Sequence, residues 1–245
     1  MRVIMPAMPR LRLALLLLAA CALAACATRV GPDGKKESRF DPRFIAKTDI
    51  DRVVDANRAE VIGGLRRIAE KLYKRNPREW KKGGQPSMEA ALERLFAGRV
   101  DFSELEGRRE GAAAFAFSAN YQGDRVLALM AGLLGMAYAA FEDKDDFYVL
   151  DELNEQKLYN CARNIEIAIW KMSSTKNGNG EPVLRSNELD ALNPNLSFER
   201  EFGRIIGLLD FLSKVVADKH GRTVTRFTQS IATAVFLPVG ALGIR

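Results

Sequence analysis

The spacing of apolar residues between Thr48 and Arg75 is the feature that most limits how this chain can fold. These residues recur at steps of three and four, which is the period of one face of an α-helix. The apolar residues in this pattern are Ile50, Val53, Val54, Val61, Leu65, Ile68 and Leu72. Thr48 and Asp51 have the spacing of a capping box, and Asn76-Pro77 disfavours further helix. A helix of this length rises about 40 Å, so the sequence predicts an elongated helical bundle.

Similar patterns continue along the chain, and no strand pattern competes with them. The remaining predicted helices cover residues 87–97, 102–120, 126–141, about 156–173, 197–220 and 224–235. Asn195 or Ser197 is expected to cap one of them, and His220-Gly221 is typical of a helix end. The prediction is therefore an all-α fold of about six or seven helices, in which residues 48–245 form a single domain.

The segment from Val126 to Phe141 is the most apolar part of this domain, with sixteen residues and no charge. Small residues four apart, such as Ala131, Gly135 and Ala139, also occur where membrane helices pack closely. Sixteen residues rise only about 24 Å, whereas the hydrocarbon core of a bilayer is about 30 Å thick. We therefore favour a central helix that is buried on all sides, with a membrane-spanning helix as the alternative.

The amino terminus has the features of an export signal. Three arginines precede an uncharged apolar run that begins at Leu13 and is too short for a stable membrane span. Within this run the tetrapeptide Leu-Ala-Ala-Cys occurs twice, ending at Cys21 and at Cys26. The tetrapeptide resembles the lipobox of bacterial lipoprotein precursors.

This resemblance implies a lipid anchor. In that family the cysteine thiol receives a diacylglyceryl group, the signal is cleaved just before the cysteine, and the new amino terminus is usually acylated. Thirteen residues separate Arg12 from Cys26 and eight separate it from Cys21, so the spacing favours Cys26 as the lipidated residue. Cys21 is one alternative, and an ordinary secretory signal is another.

The same resemblance implies a location and a division of the chain. Ala27 follows Cys26, whereas lipoproteins kept at the inner membrane commonly carry aspartate there, so the outer membrane is expected, with the protein facing the periplasm. We expect a signal peptide over residues 1–25, and a lipidated cysteine with a polar tether over residues 26–47. The rest of the chain is similar to helical lipoproteins of Gram-negative bacteria, a resemblance that implies no activity.

Charge and residue content argue against several classes of protein. Removal of the signal with its three arginines lowers the formal net charge from +6 to +3, which does not indicate nucleic-acid binding. His220 is the only histidine and is expected at a helix end, and Cys161 is expected to be buried and unreactive. The sequence has no zinc-ligand spacing, and residues 143–146 lack the glycine of a calcium loop. No cofactor and no metal are therefore predicted.

A basic segment from Arg66 to Lys82 carries eight cations and two glutamates. A basic helix end followed by an exposed Trp80 would suit contact with anionic lipid or glycan. Alternatively, the cations compensate the helix dipole and Trp80 packs on the core. The residues predicted for the anionic contact are Lys71, Lys74, Arg75, Arg78, Trp80, Lys81 and Lys82. An acidic segment over residues 142–155 has seven carboxylates and one lysine, and an antiparallel bundle would bring it to the basic segment.

Polar residues also occur on the predicted helix around Cys161. Asn160 and Asn164 are four residues apart and share a face, and Arg163 and Glu166 are three apart. Because buried polar groups need partners, we expect them to form a partly buried network that fixes the register of the helix. A ligand pocket is the alternative interpretation.

The sequence indicates a lipid-anchored binding or scaffolding module and favours a role without catalysis. Its expected partners are the membrane, through the anchor, and an envelope protein, an anionic lipid or a glycan. One alternative is a hydrolase of envelope glycan that uses Glu104, Glu106 or Glu110, which requires two carboxylates about 5–9.5 Å apart in a cleft. Another is a carrier of lipid or another apolar ligand, which requires a cavity between helices.

Overall fold

The computed structural model describes residues 28–30, 36–38, 47–98, 102–105, 110–148, 151–187, 195–221, 224 and 235–240. The chain divides into two units, Met1–Thr48 and Asp49–Arg245.

The first unit contains a short pair of strands. Strand β1 (Thr28–Val30) pairs antiparallel with β2 (Lys36–Ser38), and Arg29 lies opposite Glu37. Both strands lie within residues 26–47, for which the sequence predicts a polar tether, and Gly31-Pro32-Asp33-Gly34 stands between them in the sequence.

The second unit is an all-α bundle, which confirms the predicted fold class. Its described residues form α1 (Asp49–Arg75), α2 (Pro77–Lys82), α3 (Met88–Phe96), α4 (Arg125–Ala140), α5 (Glu155–Ser174) and α6 (Ser197–His220). Two 3₁₀ helices, Ser103–Leu105 and Gly111–Phe117, lie between α3 and α4 in the chain.

Helix α1 follows its predicted span and packs along α6. The two helices come close at Gly64, where a Cβ atom would lie 2.8 Å from Cγ1 of Ile205. Ile50 and Val53, which the periodicity placed in the buried stripe, are instead 48% and 51% exposed. Asp51 and Val54 occupy the buried side of this first turn. The buried stripe therefore starts at Val54 and continues through Val61, Leu65, Ile68 and Leu72.

Helix α4 lies at the centre of the bundle, as predicted for the apolar segment. Thirteen of its sixteen residues are buried, so it has no polar face toward solvent. Asp124 caps its amino end, because the Oδ1 atom accepts a hydrogen bond from the Leu127 N–H at 2.9 Å. Among the described helices, none has both the length and the hydropathy that a membrane crossing requires.

The alanine-rich segment before α4 differs from the helix predicted over residues 102–120. Its described part contains only the two 3₁₀ helices, and Ser118 is extended with φ −73° and ψ 132°. A Cβ atom on Gly132 would lie 2.8 Å from Cα of Ala113, so this segment packs directly on the backbone of α4. The Arg125 guanidinium donates hydrogen bonds to three carbonyls, those of Ala116, Ser118 and Tyr121. Tertiary contacts of this kind override the helix propensity of alanine.

The carboxyl-terminal part of the chain begins where α6 ends. Gly221 has φ 61°, the left-handed conformation common at helix ends, which confirms the predicted end at His220-Gly221. The predicted helix over residues 224–235 lies mostly outside the described residues, and its two described positions are not helical. Residues 235–240, here called the carboxyl-terminal segment, are also non-helical, and Leu237 and Val239 within them are buried.

Candidate functional site

A groove of about 650 Å³ lies between the last turns of α5, the loop of residues 182–187 and the start of α6. Its floor consists of four buried apolar side chains: Met172, Leu184, Phe198 and Phe202. Leu196 is about half exposed and continues this apolar surface toward the rim. The volume falls within the range of small-molecule sites, about 300–1,000 Å³. We call this surface the α5–α6 groove.

The loop wall of the α5–α6 groove is fixed by Asn76, the residue that follows α1. Its side-chain amide donates to the carbonyls of Leu72 and Arg185, each at 2.9 Å. Its Oδ1 atom accepts a hydrogen bond from the Arg185 N–H at 2.8 Å. A single side chain therefore closes the last turn of α1 and binds both backbone polar groups of a residue 109 positions later. This contact holds the loop beside the end of α1.

Charged side chains line the rim of the α5–α6 groove. They are Arg75, Arg185 and Glu199. Glu199 accepts a hydrogen bond from Nδ2 of Asn187 at 2.8 Å, and Arg185 is largely exposed, with Glu181 3.9 Å away. Guanidinium groups present parallel donors that match the oxygens of a carboxylate or phosphate. The groove thus combines an apolar floor with a rim that suits an anionic group.

The basic segment continues from Arg75 into α2, and part of it is engaged within the bundle. Lys71 donates to the Ser197 carbonyl at 3.1 Å and lies 3.9 Å from Glu201. A hydrogen bond from Arg67 at 2.9 Å lowers the pKa of Glu201 below its ordinary value. Trp80 is half-buried and packs against the core.

Besides Arg66, four cations of the basic segment are exposed: Lys74, Arg78, Lys81 and Lys82. Lys74 pairs with Glu70 one turn earlier, and Lys82 pairs with Glu79 at 2.7 Å. Lys81 lies 5.3 Å from the centre of the Trp80 ring. These four side chains present positive charge to solvent close to Arg75 in the chain.

The acidic segment over residues 142–155 contacts cations outside the basic segment. Arg58 binds Asp145 at 2.5 Å, Lys157 binds Glu142 at 2.6 Å, and Lys144 pairs with Asp151. Arg58 belongs to the first half of α1, whereas the basic segment lies at the far end of that helix. In the described contacts, the acidic segment therefore pairs with cations other than those of the basic segment.

Asn160 and Asn164, predicted for the buried polar network, face the carboxyl-terminal segment. Asn164 is fully buried, and its amide donates to the Leu237 carbonyl at 2.8 Å while its Oδ1 atom accepts from the Leu237 N–H at 2.6 Å. One turn earlier, Asn160 donates to the Pro238 carbonyl at 2.7 Å. The chain's own backbone thus occupies the position beside these two amides.

Arg163, predicted for the same network, contacts α6 instead, and Glu166 pairs with Arg163. Arg163 lies 3.0 Å from Glu166 and 2.6 Å from Asp210 of α6. Burial raises the pKa of Glu166 above its ordinary value, and Arg163 opposes that shift. The four residues therefore form two groups, one on the carboxyl-terminal segment and one between α5 and α6.

A buried polar cluster at the start of α4 was missed by the sequence analysis. The Tyr73 hydroxyl donates to Asp124 at 2.9 Å, and Glu79 accepts from the Arg125 N–H at 2.8 Å. Burial raises the pKa of Asp124 to about 6 and also raises that of Tyr73. Asp124 and Glu79 are only 3% and 6% exposed, and both bind the backbone at the start of α4, so they serve as caps. The available signal was an aspartate two residues before the apolar run that begins at Val126.

Glu104 and Glu110, two of the carboxylates considered for glycan cleavage, do not line the α5–α6 groove. Glu104 pairs with Arg94 at 2.6 Å, and Glu110 accepts from the Gly240 N–H at 2.9 Å. Glu106 lies outside the described residues. Within the described ranges, no group of three His, Cys, Asp or Glu side chains could hold a metal ion.

The single histidine lies at a helix end, and the cysteine of the helical unit lies in the core. His220 is the last residue of α6, and its Nδ1 atom lies 3.6 Å from Glu155. Cys161 is completely buried, and burial raises the pKa of its thiol to about 12. Such a thiol stays protonated at neutral pH and is a poor nucleophile.

The residues that carry the lipoprotein resemblance, Cys21 and Cys26, lie outside the described residues. No known protein family, characterised protein or solved structure matches the chain. The features that bear on function are therefore the α5–α6 groove, the charges on its rim and the amino-terminal sequence.

Proposed function

We propose that the protein is a lipid-anchored envelope protein facing the periplasm, and that its helical unit binds an anionic amphiphile. The anchor is supported by the lipobox-like sequence that ends at Cys26. The ligand class is supported above all by one observation. The α5–α6 groove joins an apolar floor to a rim that carries Arg75 and Arg185.

The size of the groove suits a single acyl chain. Burial of about ten methylene groups contributes roughly 8 kcal/mol before the cost of ordering the chain is subtracted. Burial of the chain therefore supplies most of the affinity. A charge-assisted hydrogen bond contributes about 1.5–3 kcal/mol, so the arginines select the anionic end and set the orientation of the ligand.

The exposed cations of the basic segment support a membrane-facing orientation. Lys74, Arg78, Lys81 and Lys82 follow or flank Arg75 in the chain. A cation near an anionic leaflet contributes about 1 kcal/mol. We propose that these side chains contact anionic headgroups, which would bring the α5–α6 groove to the surface where amphiphiles are found. Binding rather than cleavage is proposed because neither Glu104 nor Glu110 lines this groove.

A fluorescence titration with a labelled twelve-carbon fatty acid, and with the matching fatty alcohol, tests this proposal. We expect Arg185→Gln to weaken binding of the carboxylate about tenfold and to leave the alcohol unchanged, because only the acid uses the guanidinium. Leu196→Asp should weaken binding of both, since it places a charge beside the apolar floor.

Two matched variants serve as controls for this titration. Phe211→Asp changes another exposed apolar residue of α6, and Arg200→Gln changes another exposed arginine, both outside the groove. Neither should alter the affinity for either probe. The proposal fails if the fatty acid does not saturate the protein, or if Leu196→Asp binds it as well as the unmodified chain does.

A further inference from the structure

The carboxyl-terminal segment is bound through its main chain, as an extended peptide is bound by a receptor. Asn164 binds both the N–H and the carbonyl of Leu237, the two groups that a neighbouring β-strand would pair with. Asn160 binds the Pro238 carbonyl. Proline has no N–H, so no donor at this position is left unpaired. Main-chain hydrogen bonds of this kind give affinity for an extended chain regardless of its side chains.

Side-chain pockets add selectivity to these bonds. Leu237 and Val239 alternate along the segment and are both buried, and Phe236 packs partly buried against the core. Gly240 donates its N–H to Glu110 at 2.9 Å, and a Cβ atom at position 240 would lie 3.1 Å from Cδ of Glu110. The site therefore fits two apolar residues with a proline between them.

We propose that the surface beneath this segment, formed around Asn160, Asn164 and Glu110 and here called the tail groove, is a peptide-recognition site. Its partner in trans is the carboxyl-terminal segment of a second copy of this chain. Within one copy the segment fills the tail groove in cis. Exchange between two copies would join them without any new type of contact.

The contacts support this exchange. The hydrogen bonds that Asn160, Asn164 and Glu110 form with the segment all join it to residues at least 73 positions earlier in the chain. The same bonds form whether the segment belongs to the same copy or to another. Residues 222–234 separate α6 and its terminal glycine from the segment, and thirteen residues can span at most about 45 Å. That reach is sufficient for an adjacent bundle.

Photocrosslinking between two differently tagged full-length copies in the same cells tests the proposal. Phe236 in the first copy is replaced by p-benzoylphenylalanine, and irradiation then marks whichever chain holds the segment. The other copy carries Leu237→Asp, which places a charge at a buried position of its own segment and leaves its tail groove open to the labelled segment. Asn164→Ala is then placed either in the labelled copy or in that other copy. Loss of the two bonds from Asn164 weakens one tail groove and leaves the other intact.

We expect an adduct that carries both tags. Its yield should rise when Asn164→Ala is in the labelled copy, because that copy's own groove is weakened, and should fall when the substitution is in the other copy. The two arrangements should differ by about tenfold. Asn160→Ala, which removes one bond, should give the same asymmetry with a smaller ratio if Asn164→Ala accumulates poorly.

The matched control is a copy in which p-benzoylphenylalanine replaces Phe211, an exposed residue of α6, instead of Phe236. Any adduct from that position should not depend on which copy carries the asparagine substitution. The proposal is overturned if all products from position 236 are intramolecular, or if the adduct yield is the same in both arrangements. The amphiphile proposal uses the α5–α6 groove, so either proposal can fail without the other.

Discussion

At the scale of single residues, the side chains of three asparagines form hydrogen bonds that a neighbouring backbone would otherwise form. Asn76 binds both polar groups of Arg185, Asn164 binds both polar groups of Leu237, and Asn160 adds a third attachment. An amide side chain carries a donor and an acceptor together, so it can pair with both groups of one residue. Loop and tail segments are thereby attached to helices without forming a sheet.

Asp124 is the residue whose ionisation should most affect stability. Burial raises its pKa from 3.8 to about 6. Between about pH 4 and pH 6 the folded protein retains a proton that the unfolded chain has released. The free energy of unfolding should therefore fall as the pH rises through this window. Asp124→Asn removes this effect and keeps an oxygen for the Leu127 N–H.

We expect the stability of Asp124→Asn, relative to the unmodified protein, to increase by up to about 3 kcal/mol between pH 4 and pH 7. Urea denaturation across this range measures the difference. Asp145→Asn, at a largely exposed position, should show no comparable trend. A pH-independent difference for Asp124→Asn would mean that the carboxylate is already ionised at pH 4.

At the scale of secondary-structure elements, the close approach of the second 3₁₀ helix to α4 determines what position 132 tolerates. Gly132→Ala would bring Cβ to 2.8 Å from Cα of Ala113, which is backbone and cannot move aside easily. We expect a loss of about 3 kcal/mol in the free energy of unfolding. Gly207→Ala on the exposed side of α6 meets nothing within 4 Å, so it should stabilise by about 1 kcal/mol. Denaturant titration of both variants checks this contrast.

Local signals explain how much of the fold was predictable. Helix α3 begins directly after Ser87, whose side chain accepts from the Ala90 N–H, and a serine before an apolar periodic run predicts that start. The 3₁₀ helix at Gly111–Phe117 was not predictable, because it depends on Gly132 and Arg125, which come later in the chain. The α5–α6 groove was missed for the same reason, since its loop is fixed by Asn76, 109 residues away.

The end of α1 together with α2 should account for attraction to anionic membranes. We expect reversal of Lys74, Arg78 and Lys81 to glutamate to weaken retention on phosphatidylglycerol vesicles at low salt by about 100-fold, at about 1 kcal/mol per cation. The melting temperature should change little, because exposed pairs contribute about 0–1 kcal/mol each. Lys71 is left intact because it donates to the Ser197 carbonyl.

Reversal of Arg52, Lys214 and Lys219 gives the same change in net charge elsewhere on the helical unit and is the matched control. It should reduce vesicle retention much less. Equal losses for the two triple variants would mean that total charge, and not the basic segment, determines retention.

At the scale of the whole molecule, the proposed anchor and the two grooves give the chain three separate means of contact. The proposed anchor depends on Cys26. The α5–α6 groove depends on its apolar floor and on the arginines of its rim. The tail groove depends on Asn160 and Asn164. Because these residue sets do not overlap, a substitution in one set should leave the other two contacts measurable. The functions can therefore be separated in one protein.

The proposed anchor can be tested by replacing Cys21 and Cys26, the two cysteines of the predicted export signal, one at a time. We expect Cys26→Ser to leave the protein unlipidated, since the thiol is the acceptor of the diacylglyceryl group, and Cys21→Ser to leave lipidation intact. Mass spectrometry of the mature amino terminus reads the outcome directly. A lipidated product that begins at residue 21 would reassign the anchor to the earlier cysteine.

The completely buried Cys161 can serve as a probe of local unfolding in the native protein. From Ala27 onward it is the only cysteine in the chain, and its thiol is both inaccessible and protonated in the folded state. A thiol reagent can therefore modify it only during moments when the packing around α5 opens. When reclosing is faster than modification, the modification rate reports the population of the open form, so the stability of the core around α5 can be measured without denaturant.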